Sequence, residues 1–189
     1  MNSADRTRDE WLALRCLAGD YGAFEELVAL MDRPLRYYAS RVAGGDERAC
    51  DVVQQVWIRA LRDLRKRRLR DPGALRPWLY RIAHGIAVDE VRRSVSRQRA
   101  EESHADEFAA STESSAAEIS FAADDAAALH RALDQLEPRL REVLTLHFLE
   151  DFSVVEIAES TGCPEGTVKS RLHFAKRAMR DLLKKESSS

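Results

Sequence analysis

The chain has 189 residues, 44% of them hydrophobic, and a formal net charge of -2. That length holds one medium domain or two small ones with real cores, and the near-neutral balance argues against a free-standing nucleic-acid coat, whose affinity would need a large positive excess. Three cysteines, Cys16, Cys50 and Cys163, lie far apart with no CxxC pair, so neither a disulfide framework nor a zinc site of ordinary ligand spacing is indicated, and a reduced cytoplasmic interior is the expected setting.

The first predicted element is a helix from Asp46 to Leu64, with Ala49, Val53, Val56, Trp57, Ala60, Leu61 and Leu64 along one side. Its opposite side carries Asp51, Gln54, Gln55, Arg59 and Arg62. Taken alone that pattern favours a solvated face, although the amides and carboxylate of DVVQQ also suit a partner's surface. The basic run Arg65-Lys66-Arg67-Arg68-Leu69-Arg70 leads into Asp71-Pro72-Gly73, a turn signal. After Pro77 a second helix reads WLYRIAHGIAVDEVRRSVSRQR, with Trp78, Leu79, Ile82, Ala83 and Ile86 inward and Arg81, Arg92, Arg93, Arg97 and Arg99 outside. Aromatics beside arginines hold single-stranded nucleic acid by stacking and charge, but on spacing alone a core role for Trp78 and Tyr80 weighs more.

Past Arg99 the composition changes. From Glu101 to Asp125 the chain is rich in Ser, Ala and acid, with Phe108, Ile119 and Phe121 as its few large apolar residues, and it reads as a flexible linker.

Residues Ser153 to Arg177 spell a helix-turn-helix. Ser153 and Glu156 make a capping box, so a short helix starts there and runs through Val155, Ile157 and Ala158 to stop at Thr161-Gly162. Gly162 accepts the positive φ of a tight turn, and Pro164 suits the first position of the next helix. There Val168, Leu172, Ala175, Met179 and Leu182 form one apolar stripe, while Lys169, Ser170, His173 and Arg177 point away from it and Arg171 and Lys176 flank it. Small and basic residues on an outer face, beginning at Gly166-Thr167, suit entry into a major groove; a solvated basic face on a bundle helix is the bland alternative.

In their order and separation, DVVQQVWIRAL, RPWLYRIAHGIAVDEVRR, a polar linker and LDQLEPRLREVLTLHFLEDFSVVEIAESTGCPEGTVKSRLHFAKR resemble a bacterial RNA polymerase sigma factor of the extracytoplasmic-function (ECF) group of the sigma-70 family, from about Gly19 to Leu183. The resemblance implies an all-α protein of two small helical bundles joined by a flexible linker: a region 2 domain over residues 8–99, an acidic linker over 100–125, and a region 4 domain with the helix-turn-helix over 126–186. It implies that Asp51, Gln54 and Gln55 dock on core RNA polymerase, overturning the solvated reading of that face. Glutamate is the commoner residue where Gln55 stands; the amide keeps hydrogen-bonding capacity and loses an ionic contact.

By the same resemblance Arg76, Trp78, Tyr80 and Arg81 trap the separated strand of the minus-10 element, with Arg92 and Arg93 close to phosphates. Family members often carry asparagine where this chain has Gly85, and glycine loosens the helix and offers no side-chain hydrogen bond. The resemblance carries minus-35 reading onto Thr167, Lys169, Ser170, Arg171 and His173, with Lys176 and Arg177 near phosphates. Many members have arginine where Phe174 lies, and Phe174 is expected to pack against Leu149 and Phe152. The linker matches the family's connector, either an RNA mimic or a soluble tether. An anti-sigma factor is a further implied partner.

The expected mechanism is binding without bond chemistry. The five histidines show no HExxH spacing, and there is no GxSxG elbow and no phosphate-cradling glycine loop, so no catalytic residue, cofactor or metal is expected. Cys163 reads as a plain turn position. Nor does any apolar run approach membrane-spanning length, and the start, MNSADRTRDEW, lacks the apolar stretch of a signal peptide. Two other readings stay open at this point: a repressor or activator that uses the helix-turn-helix alone, and a sigma-like interaction protein that binds polymerase without opening promoters.

Overall fold

The computed structural model describes residues 3–102 and 129–186. These residues form α1 (Ser3–Leu17), α2 (Tyr21–Ala43), α3 (Asp46–Arg65), a 3-10 turn at Pro72–Ala74, α4 (Leu75–Glu102), a helical segment at residues 129–134, α5 (Pro138–Phe148), α6 (Val154–Thr161) and α7 (Glu165–Glu186). No strand occurs among the described residues, in keeping with the all-α expectation. Because α4 continues to Glu102, the expected linker begins as helix, and its remainder, with Phe108, Ile119 and Phe121, lies outside the described residues.

Local chemistry sets most of these boundaries. The Asp20 carboxylate accepts from the Ala23 N–H at 3.1 Å and starts α2. Gly44, in the left-handed region at φ 78°, ends it by donating its N–H to the Ser40 carbonyl. Inside α2, Ala23, Leu27, Met31, Leu35 and Tyr38 are buried at helical spacing, and Pro34 is accommodated within the helix. Asp71 accepts from the Gly73 N–H at 2.9 Å and turns the chain, so α4 begins at Leu75 with Pro77 inside its first turn, two residues earlier than Pro77 implied.

The carboxy-terminal elements follow the predicted helix-turn-helix closely. Ser153 and Glu156 bond reciprocally, at 3.3 Å and 2.8 Å, as a capping box for α6. Gly162 takes φ 67°. The Pro164 carbonyl accepts from the N–H groups of Thr167 and Val168, so Pro164 caps α7 rather than opening it.

Helices α1 to α4 bury Leu27, Leu35, Val53, Val56, Leu75 and Leu79, and α5 to α7 bury Val143, Leu146, Ile157, Val168, Leu172 and Ala175. The two groups meet: α6 lies on α4 and α5 on α2, and the apolar interior is continuous across them. At the junction the Tyr80 ring stands edge-on to Tyr38 and to Phe152, each at 5.1 Å between centroids.

Candidate nucleic-acid and polymerase interface

Helix α3 presents its polar side outward. Asp51, Gln54 and Gln55 are all exposed. Beside them Ile58 is 64% exposed, an apolar contact that fits docking better than mere solvation. It was detectable from sequence, because Ile58 falls off the apolar stripe of its own helix.

Where α3 and α4 diverge, a cavity of about 300 Å³ is lined by Arg59, Asp63, Arg68, Trp78, Arg81, Ile82 and Gly85. Asp63 is almost completely buried. Around it stand the guanidinium groups of Arg68 at 3.2 Å, Arg62 at 3.6 Å and Arg59 at 3.8 Å. One shielded carboxylate thus gathers three arginines, two of which, Arg59 and Arg68, line the cavity together with Trp78. The pairing of Arg68 depends on a left-handed residue, Arg67 at φ 50°, in the short stretch after α3. Sequence reasoning named Trp78 and Arg81 here and missed Arg59, Asp63 and Arg68, whose roles depend on chain reversal after Arg65.

The other minus-10 candidates are dispersed. Tyr80 is fully buried, its hydroxyl pushed well above the ordinary tyrosine range by burial and by the neighbouring Glu150 carboxylate. It is a core residue here and offers no face to a base, which corrects its assignment to the strand-trapping set. Arg76 is directed the other way, its Nε 2.5 Å from the buried Asp9 carboxylate of α1, so it braces α1 against α4 rather than facing the cavity. Arg92 and Arg93 are exposed further along α4, near Asp89 at 3.8 Å and Glu90 at 2.7 Å.

Helix α7 buries Val168, Leu172 and Ala175 and half-buries Met179 and Leu182. Lys169, Ser170, His173, Lys176 and Arg177 are exposed on its outer side, with Thr167 and Arg171 half-buried at its rim. The Arg171 guanidinium lies 3.1 Å from the Cys163 sulfur, and Lys176 stands over the Phe148 ring at 5.2 Å. Phe174 is 54% exposed and meets His173 edge-on at 5.6 Å. That corrects the expectation of packing against Leu149 and Phe152: Phe152 is turned inward toward Tyr80, and Leu149 is itself 45% exposed.

The family model described as Sigma-70 region 2 matches residues 19–97, and that described as Sigma-70, region 4 matches residues 126–179. Over 158 residues the sequence is 36% identical to the ECF RNA polymerase sigma factor SigL of Mycobacterium tuberculosis, covering 83% of this chain and 84% of that protein. The chain belongs to the sigma-70 family. It is a sigma factor of the ECF group, directing transcription initiation at promoters with core RNA polymerase.

A second relative, the ECF RNA polymerase sigma factor SigE of Mycolicibacterium smegmatis, is 32% identical over 174 residues, covering 90% of this chain and 66% of that protein. The fold of this sigma factor is shared with the sigma factor RpoE of Bartonella quintana, solved with the anti-sigma factor NepR, at a TM-score of 0.67 and 23% identity over 85% of this chain and 96% of that one. No helix among the described residues of the sigma factor is long and apolar enough to cross a membrane.

Proposed function

We propose that this sigma factor divides its work among three surfaces. Residues 8–99, the region 2 domain, dock on core polymerase through Asp51, Gln54 and Gln55, with Ile58 supplying apolar contact. The cavity between α3 and α4 takes bases of the separated minus-10 strand. There Arg59, Arg68 and Arg81 face phosphates, Trp78 offers an aromatic edge, and Arg92 and Arg93 extend the basic track. Flipping and unstacking cost a few kcal/mol per base, which pocket and stacking contacts offset.

Residues 126–186, the region 4 domain, place the outer side of α7 in the minus-35 major groove. Thr167, Lys169, Ser170, Arg171 and His173 meet base edges, and Lys176 and Arg177 meet phosphates. The observation that carries this reading is the segregation on α7 itself: Val168, Leu172 and Ala175 are buried against α5 and α6, leaving an outer face of basic and small polar side chains interrupted by Phe174. The action is binding and positioning, without bond chemistry, in the cytoplasm. An anti-sigma factor is a further proposed partner, as NepR is for the similar Bartonella factor.

Run-off transcription with purified core polymerase on promoter libraries tests this. Specific transcripts are the expected result, and their base preferences should change with substitutions at Lys169, Ser170 or Arg171. Polymerase binding with no transcript from any library member would overturn the promoter-opening role.

A further inference from the structure

We propose that Phe174 is a specificity-determining residue of α7 that reads the 5-methyl group of one thymine in the minus-35 major groove; this rests on the proposed placement of α7 in that groove. Phe174 is 54% exposed. A single exposed apolar side chain is ordinary on a protein surface, so its position carries the argument. One and two turns toward the amino end of α7 from Phe174 stand Ser170 and Thr167, and Arg177 follows one turn beyond it. With about 100° between successive residues, Phe174 lies about 50° from the outermost line through Ser170 and Arg177 and about 120° from the Val168–Leu172–Ala175 stripe. Helical side chains lean toward the amino end of their helix, so the ring overhangs the turn that carries Ser170 and Arg171, both proposed base readers.

The apolar surface elsewhere on this domain does not extend to Phe174. A cavity of about 470 Å³ lies between α5 and α7, with Leu144 and Phe148 on one wall and Lys176, Met179, Arg180 and Leu183 on the other. Those four residues occupy the flank of α7 opposite Phe174. The Phe174 ring instead meets His173 edge-on at 5.6 Å, which steadies it on the outer side of the helix.

The chemistry of the groove selects the ligand. A phenyl ring neither donates nor accepts a hydrogen bond and carries no charge, so a phosphate, a guanine edge or an adenine edge gains little from it. The thymine methyl is the apolar group that a base pair presents in the major groove. Arginine, which many sigma-70 members carry at this position, would suit guanine or a phosphate. Phe174 thus replaces a polar reader with an apolar one at a single base pair.

Deoxyuridine tests this, because it removes the thymine methyl and leaves the hydrogen-bonding edge intact. On a promoter selected by run-off transcription, each minus-35 thymine of either strand is replaced in turn, and binding of the reconstituted holoenzyme is followed by fluorescence anisotropy. One replacement should weaken wild-type binding about fourfold, the effect of one buried methyl group, and leave Phe174→Ala binding unchanged. Phe174→Leu, which keeps an apolar side chain, should retain part of the effect, and Phe174→Arg should move the preference at that base pair from T·A toward G·C. The coupling to Phe174→Ala separates the ring from Thr167, whose methyl can make a similar contact. A minus-35 element without thymine in either strand, no methyl effect at any position, or an effect that persists in Phe174→Ala would overturn the thymine reading. If Lys169→Ala and Ser170→Ala still alter base preferences, that reading alone falls; if they too change nothing, the placement of α7 in the groove falls with it.

Discussion

Arg171 sits at the rim of α7, half-buried, with its guanidinium 3.1 Å from the Cys163 sulfur. That contact keeps the long side chain along the turn of the helix-turn-helix rather than free in solvent, so little rotamer entropy remains to be lost when it meets a base edge. Arg171→Ala is expected to weaken binding to duplex promoter DNA by about 1–3 kcal/mol, measured by fluorescence anisotropy; an unchanged affinity would remove it from the readers. Gly85 poses the opposite case. It is exposed in mid-helix, and a Cβ built there meets nothing within 4 Å. Gly85→Ala should therefore stabilise the fold by about 0.5–1 kcal/mol through the lost freedom of the unfolded chain. For a chain of this size that corresponds to roughly 2–4 °C in thermal midpoint per kcal/mol, read by calorimetry. Tyr80 shows where residue-level reading ran out: its spacing on α4 was compatible with stacking or core, and only the arrival of Phe152 from the second helical group decided for core.

At the scale of elements, caps do much of the specifying. The Ser153–Glu156 box satisfies two free donors at the start of an eight-residue helix that has little else to define its beginning. Ser153→Ala should cost about 1 kcal/mol, checked by denaturant unfolding with an unchanged slope. The cap of α2 responds to pH. The Asp20 carboxyl is held below its ordinary range by the Ala23 N–H and then by Arg15, whose guanidinium is 2.8 Å away. A carboxyl with a lowered folded-state value adds stability above its unfolded value, and that stability is lost as pH falls through the folded one. Thermal midpoints should therefore decline on acidification below the ordinary aspartate range, and Asp20→Asn, which keeps an acceptor, should show a shallower decline. The capping box, the turn glycine and the apolar stripes of α3, α4 and α7 were legible because each is a local rule. No element was read before Asp46. The stripe Leu27, Met31, Leu35 in α2 is legible in retrospect, but Pro34 within it argues against an uninterrupted helix until the surrounding burial is seen.

For the molecule as a whole, the net charge of -2 conceals its distribution. Acids are spent inside the protein, on Arg76, on the arginines around Asp63 and on the Tyr38–His84 pair, while α7 keeps exposed cations. Binding to duplex promoter DNA should consequently fall steeply with salt, and Lys176→Ala should reduce the slope of log affinity against log salt by about 1 with little change in sequence preference; titrations at several salt concentrations check both. What the sequence determined by itself was whatever depends on neighbours within a few residues: an all-α class, the helix-turn-helix with its boundaries, the exposed Asp51-Gln54-Gln55 face, and the order of motifs that marks the sigma-70 family. What only the tertiary structure decided was whatever needs residues distant in the chain to meet. It turned Arg76 toward Asp9, gathered Arg59, Arg68 and Arg81 around one cavity, sealed Tyr80 under Phe152, and placed Glu142 between Tyr38 and His84. The physical reason is that helical periodicity states how a segment divides into faces, whereas which face finds which partner depends on packing between segments that the local pattern does not encode.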